Sequence, residues 1–280
     1  QVKKSITLEV KFMQNLMENL KKYDSPGDYL RYWRKLNRMS QLDLALDVGI
    51  SSKHISFVET GKSLPSRNLI LKMAHSLKLP LRHQNAFLKA AGYAAEFGEE
   101  SFNGHKMEIV RQALQRMLDK HEPYPAFVVN TGYKILMTNS GYEQIIKFLV
   151  GENALIKYDN VYRITFAEDG LRPYIKDWPV VEQFMLSRLW DEVVSTQNSE
   201  LFSLYEEITR LRISEDSIDL QIDNNLPIMS LTFEIDSMQA SFFTTITTLG
   251  TPLDLTTQEL RIESLFPADE DTKKLFPLEI

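Results

Sequence analysis

The side chains of this chain best suited to chemistry are gathered in one stretch: Gln41, then Ser51, Ser52, Lys53 and His54, then Phe57, Lys62 and Ser63, with Arg67 and Asn68 close behind. Hydroxyls, amides and ammonium groups at this density donate hydrogen bonds to phosphate oxygens and to the acceptor edges of bases. They do not read as the parts of a catalytic site. The chain has no cysteine, which excludes a thiolate nucleophile, a disulfide framework and a zinc-thiolate cluster. It also shows no histidine-rich metal spacing and no glycine-rich phosphate loop. His105 and His121 stand alone in sequence, so the expectation is a non-enzyme with no metal site.

Those polar groups need elements to aim them. Ser40-Gln41 opens a helix carrying apolar Leu42, Leu44, Ala45 and Leu46, and Gly49 stands where a left-handed residue lets the chain turn sharply. Ser51 or Ser52 then caps a further helix. Ile55 and Val58 give that helix its buried side, which leaves Ser52, Lys53, His54, Ser56 and Phe57 for its other faces. Two short helices joined at a glycine, the second starting with exposed polar side chains, make a helix-turn-helix whose second helix is shaped for the major groove.

Residues 30–92 resemble the helix-turn-helix domain of the phage-repressor and Xre class. The likeness rests on the run through Ser40-Gln41 and Gly49-Ile50-Ser51, the Glu59-Thr60-Gly61 turn and the Pro65-Ser66 start of a fourth helix. It implies five helices near 27–37, 41–48, 52–60, 66–77 and 81–92. It also implies a double-stranded DNA operator with two half-sites, bound by a homodimer. Carried over residue by residue, Gln41 touches phosphate from a helix N-terminus, and Ser52, Lys53 and Phe57 face base edges. A phenylalanine departs from the polar residue usual at its position, so Phe57 either contacts a thymine methyl or packs. His54 is a base reader or a surface residue. Lys62, Ser63, Arg67 and Asn68 suit backbone contacts, or form a solvated loop with a helix cap. Arg34 and Glu59 stand where the family ties its first helix to its third with an ion pair, or else Arg34 contacts phosphate.

Charge divides in the same place. The whole chain carries a formal −6, but residues 1–94 hold 16 lysines and arginines against 7 acids and the remainder 16 against 31. A +9 head beside a −15 body reads as a DNA-binding module fused to a part that will not itself adhere to DNA. At 280 residues there is enough chain for two cores. The expected division is an amphipathic extension over 1–23, a DNA-binding domain over 24–94, a linker over 95–104 and a second domain over 105–280. The extension, with Leu8, Phe12, Leu16 and Leu20 every four residues, packs on its own protein or makes a dimer contact. With no apolar run of membrane-spanning length and no secretory pattern, the expectation is a cytoplasmic protein without a membrane partner.

Beyond the linker, Met107, Val110, Ala113, Leu114, Met117 and Leu118 stripe a helix that must stop before Pro123. The apolar period then falls to two. Residues 126–129 and 133–137 read as a hairpin, helices follow at 139–150, 178–196 and 199–212, and strands at 217–222, 228–235, 238–249 and 260–266. This order is α+β: an antiparallel sheet with helices, following an all-α head.

The second half is similar to the MmyB-like ligand-binding domain in Pro125 to Asn130, in Gly170 to Tyr174 with Asp177-Trp178, and above all in Phe242 to Pro252, Gln258 to Glu263 and Phe266 to Glu270. The resemblance implies a bacterial one-component transcription regulator with a PAS-like pocket for an apolar, fatty-acyl small molecule. No cofactor is required, and the pocket can hold a bound fatty acid or similar lipid. Such a pocket needs apolar walls with a few placed polar groups, and Phe127, Val129, Ile135, Met137, Phe148, Trp178, Met185, Leu189, Phe233 and Phe243 supply them or else form plain core. Arg172 is the first candidate to hold a ligand carboxylate, with Arg261 second, and Asp177 and Glu182 are alternative partners for Arg172. A body that binds a partner protein instead of a small molecule is the other reading.

Overall fold

A computed structural model describes residues 25–196, 198–211 and 230–276. Among these, contacts gather 25–100 with 252–258 into one unit, the head, and 101–251 with 259–276 into a second, the body. The extension at 1–23 and the strand expected at 217–222 lie outside the described residues.

The head is five helices: α1 Pro26–Leu36, α2 Gln41–Val48, α3 Ser52–Glu59, α4 Arg67–Ser76 and α5 Leu81–Ala90, each close to its expected span. Four of them begin on a serine whose hydroxyl accepts from a backbone N–H one turn on: Ser25 from Asp28, Ser40 from Asp43, Ser51 from His54 and Ser66 from Leu69. Each cap satisfies one of the amides that a helix start leaves without a partner. Ser51, not Ser52, is therefore the cap of α3. The turn into α3 passes through Gly49 at φ 74°, where a side chain would be strained. Leu30, Leu44, Ile55, Ile70, Met73 and Phe87 are fully buried and tie all five helices to one core. Leu42 and Leu46, expected to fill α2, point outward instead.

Two close approaches complete the head. Gly27 lies so near the end of α3 that an added Cβ would sit 2.4 Å from the Val58 carbonyl oxygen. Helix α5 starts at Pro80 without a side-chain cap of its own. Its first amide, on Leu81, is answered by Gln258 Oε1 at 2.8 Å. Nearby, Asp254 Oδ2 accepts from the Glu100 amide and the Thr256 hydroxyl donates to the Glu100 carbonyl. A piece of chain far along the sequence thus belongs to the head, which division by composition did not anticipate.

The body runs from a 3-10 turn at His105–Met107 into α6 Glu108–His121, the hairpin β1 Ala126–Val129 and β2 Ile135–Thr138, and α7 Ser140–Leu149. Short helices α8 Ala154–Lys157 and α9 Val161–Phe166 and a 3-10 turn at Arg172–Tyr174 lead to α10 Trp178–Thr196 and α11 Ser199–Arg210. Strands β3 Ser230–Ile235 and β4 Met238–Thr248 follow; helix α12 Leu255–Glu259, all but its last residue in the head, precedes strand β5 Arg261–Pro267 and helix α13 Glu270–Leu275 of the body. The five strands form one antiparallel sheet in the order β2-β1-β5-β4-β3. The α+β class is as expected, with β1 and β5 adjacent at its centre.

The sheet separates two environments. On one face Ala126, Val128 and Ile262 pack on Leu114 and Leu118 of α6. Other apolar positions of the α6 stripe are less covered: Met117 is exposed, as is Ala113. On the other face the rows Phe127–Glu263–Ile246 and Leu265–Thr244, set by strand register, look toward α7, α9 and α10 and enclose the cavity described below.

Candidate functional site

In the head, α3 presents Ser52, Lys53 and Phe57 to solvent, with His54 and Ser56 half-buried beside them. The Lys53 and Lys62 ammonium groups lie 5.5 and 5.8 Å from the centre of the Phe57 ring, within cation–π range. Phe57 is outside the core cluster to which Ile55 and Val58 belong, so this ring and its two cations make one continuous surface. Its chemistry fits an apolar contact such as a thymine methyl flanked by phosphate. Lys62 and Asn68 are exposed and Ser63 is half-buried.

The reading helix is anchored from behind by Glu59, whose side chain is 2% exposed. Arg34 grips it with two bonds, Nε to Oε1 at 2.6 Å and Nη2 to Oε2 at 3.1 Å, and donates a third to the Met39 carbonyl. Arg31 donates to the Glu59 carbonyl oxygen. Burial pushes the Glu59 carboxyl upward, but the bonds from Arg34 and Gln41 and the charges of Arg34 and Arg31 outweigh it and hold it below the usual carboxylate value. Three of the residues expected to bind DNA have internal engagements. Gln41 gives an amide N–H to Glu59 Oε2 at 2.8 Å, leaving its other N–H for a phosphate. The Ser51 hydroxyl oxygen serves as the α3 cap. Arg67 pairs with Glu96, at 40% and 37% side-chain exposure, a solvated contact weak enough for a phosphate to exchange.

The body encloses a cavity of about 290 Å³ between the sheet and helices α7, α9 and α10. Its wall is mostly apolar, with Ile145, Ile164, Val181, Leu231 and Leu265 typical, and it includes Phe127, Met185 and Phe233 from the expected set. Phe184 and Ile246, both part-exposed, lie at its edge. Thr244 supplies a hydroxyl to the lining, the inward member of the Thr244-Thr245 pair. A larger open groove of about 700 Å³ lies alongside, sharing Ile145 and Phe233 and holding Phe148.

The other expected lining residues lie elsewhere. Val129 and Leu189 are fully buried core. Ile135 and Met137 are half-buried on β2, Met137 against the α6 cluster. Trp178 packs edge-on against Phe166. Phe243 pairs with Phe266 across the register and stacks on it at 5.4 Å, on the opposite side of β4 from Thr244. Because strand side chains alternate, Phe243 faces away from the cavity that its neighbour Thr244 lines. Arg172 is also withdrawn from the pocket: it donates to Glu168 at 3.0 Å and to the Phe166 carbonyl, neither of which is a partner expected for it. Arg261 pairs with Glu192 and donates to the Tyr133 hydroxyl.

The guanidinium at the cavity belongs to Arg188, which sequence reasoning missed. From α10 it reaches Glu263 on β5, Nη2 to Oε1 at 2.7 Å, with side-chain exposures of 28% and 6%. Arg188 and Arg261 each lie 5.5 Å from the centre of the Tyr133 ring, and the Tyr133 hydroxyl donates to Glu192. Burial works against the Arg188 charge, but Glu263, Tyr133 and Tyr162 overcome it and raise its pKa above the ordinary arginine value. Burial pushes the Tyr133 hydroxyl up to about 12. The signal for the pair was present: Val181, Met185 and Arg188 follow the helical repeat, and Glu263 has the strand parity of Leu265. An arginine and a glutamate on inward positions of two elements call for each other.

Comparison with family models agrees with both units: residues 30–84 match the helix-turn-helix, and residues 110–278 match the MmyB-like transcription regulator ligand binding domain. This is a DNA-binding transcription regulator with a ligand-binding domain. The second match spans more than half of the chain, and the protein belongs to the MmyB-like family. A search of curated proteins finds no match. Among the described residues no helix is long and apolar enough to cross a membrane.

Proposed function

We propose that the protein is a cytoplasmic one-component regulator that binds a two-half-site operator as a homodimer and senses a small apolar molecule, a fatty acid or acyl compound, in the body. The observation that carries this reading is the 290 Å³ cavity, mostly apolar yet holding one ion pair in its wall. A chain-like ligand needs that combination of apolar contact and a few fixed polar groups, and Met185 in the lining repacks readily around such a chain. Regulation follows if the ligand binds one of two body states more tightly, since only a difference in affinity shifts an equilibrium. The adjoining groove, with exposed Phe148, Met238 and Leu275 along it, favours a second reading in which the body docks a partner protein.

The test is mass spectrometry of an organic extract of the purified protein beside its native mass. The extracted compound is then added back to the stripped protein in a DNA-binding titration. A stoichiometric acyl compound that changes operator affinity supports the first reading. Equal ligand affinity for the free protein and its DNA complex removes the switch, and an empty cavity with a stoichiometric co-purified protein supports the second.

A further inference from the structure

The ion pair in the cavity wall is incomplete. Glu263 is nearly buried, and one of its oxygens accepts from Arg188. Its second oxygen has no hydrogen-bond partner among the described residues, and Arg188 makes a single hydrogen bond there, to Glu263. A guanidinium has five N–H donors and a carboxylate two acceptor oxygens, so the wall holds unmet donors beside an unmet acceptor. Both residues line the cavity. The neighbouring Arg261 is not free to help, because it is paired with Glu192.

We infer that the cavity recognises an apolar molecule by an uncharged head group that accepts from Arg188 and donates to Glu263, as a primary amide or an alcohol does, and discriminates against a free carboxylate. This rests on the ligand reading above and narrows it, from a fatty acid or acyl compound to the compound whose head group is uncharged. A carboxylate can accept from Arg188 but has no proton for Glu263. It also brings a second negative charge beside one that already holds the local cation, in surroundings where charges are poorly screened. An amide of the same chain length fills both vacancies with one planar group. Sites built to exchange hydrogen bonds with a ligand reject the analogue lacking them, because their own buried groups then stay unmet.

The experiment titrates stripped full-length protein with octanamide, octan-1-ol and octanoate by calorimetry at neutral pH. Octanamide should bind at least tenfold tighter than octanoate, with octanol between them. In Glu263→Gln, Arg188 loses its counter-charge, and octanoate should gain at least tenfold on octanamide. Met185→Trp, which fills the cavity from α10, should abolish binding of all three. Wild-type protein that prefers octanoate overturns the head-group assignment and leaves the ligand reading standing, as does an unchanged ratio in a folded Glu263→Gln. Binding that survives Met185→Trp also overturns it, by placing the probe elsewhere. If none of the three probes binds wild-type protein, both readings fall. Should Glu263→Gln not fold, the wild-type ratio decides alone.

Discussion

Replacing Arg34 with alanine should strongly destabilise the head. The substitution removes both bonds from Arg34 to Glu59 and the bond to the Met39 carbonyl while Glu59 stays in place at 2% exposure. Removing one partner of a buried pair costs about 3–5 kcal/mol, since the remaining charge is left uncompensated. Arg31, 3.7 Å from Glu59 Oε2 but 41% exposed, and the Gln41 amide keep part of the compensation, so the lower end applies, roughly 3 kcal/mol. For a domain of this size each kcal/mol shifts the melting temperature by about 4–8 °C, giving a fall of roughly 12–24 °C. Hydrogen exchange read by mass spectrometry isolates the head from the body by following the amides of α1 and α3. Arg34→Met combined with Glu59→Leu should recover most of the loss, because exchanging a whole buried pair for apolar side chains is close to neutral. A loss under about 1 kcal/mol, the size of an exposed pair, would refute the reasoning, as would a double variant no better than the single.

The same pair sets a pH dependence. The folded protein holds the Glu59 carboxyl below its ordinary value, so the charged form is favoured by folding. Its contribution is complete above the unfolded value, about 4.3, and is lost as pH falls through the lowered folded one. Acid titration of α1 and α3 exchange should show this loss, and Glu59→Gln should remove it.

Three further outcomes are expected. On an operator selected from random DNA, Lys53→Ala should relax preference at one base position by about 1–3 kcal/mol, whereas Lys62→Ala should weaken binding to all sequences and reduce the salt slope by about 1; anisotropy titrations across salt separate the two, and unchanged affinity in both variants would remove the assigned contacts. Gly27→Ala should lower head stability by about 1–3 kcal/mol, as overpacking does, because its Cβ meets the Val58 carbonyl; a urea midpoint equal to wild type would show that α1 can move away. Gln258→Ala should cost the head about 0.5–1.5 kcal/mol by leaving the Leu81 amide without its acceptor, and would be read as faster exchange at the start of α5.

Local rules made most elements legible. Ser40, Gly49, Ser51 and Ser66 mark helix ends by hydrogen bonds a few residues long, and the period-two runs placed β1, β3, β4 and β5 within a few residues of their observed ends. The five-helix head and the Arg34–Glu59 tie came from motif resemblance, which encodes contacts that periodicity alone cannot. What stayed hidden has either short range or very long range. Helices α8, α9, α12 and α13 hold only 4 to 6 residues each, too few to display a helical repeat. The bond from Gln258 to Leu81 spans 177 residues and leaves no local trace at either end.

The cavity shows where reading apolar residues fails and reading charged ones would have succeeded. Core and pocket both need apolar side chains, so Phe127, which lines the cavity, and Val129, which is sealed in the core, look alike in sequence although they sit two residues apart on one strand. Their difference is a matter of space left empty by distant elements, which no window of sequence records. A charge on an inward position behaves differently, because it cannot be buried without a partner. Arg172 lies in a run with nearby acids of its own and is satisfied by Glu168 four residues before it. Arg188 has Val181 and Met185 on its helical face, and Glu263 shares the parity of Leu265, so each had to find the other across 75 residues. The arginine to choose was the one with apolar neighbours at helical spacing, since burying a guanidinium among them requires the counter-charge that defines the polar wall of the site.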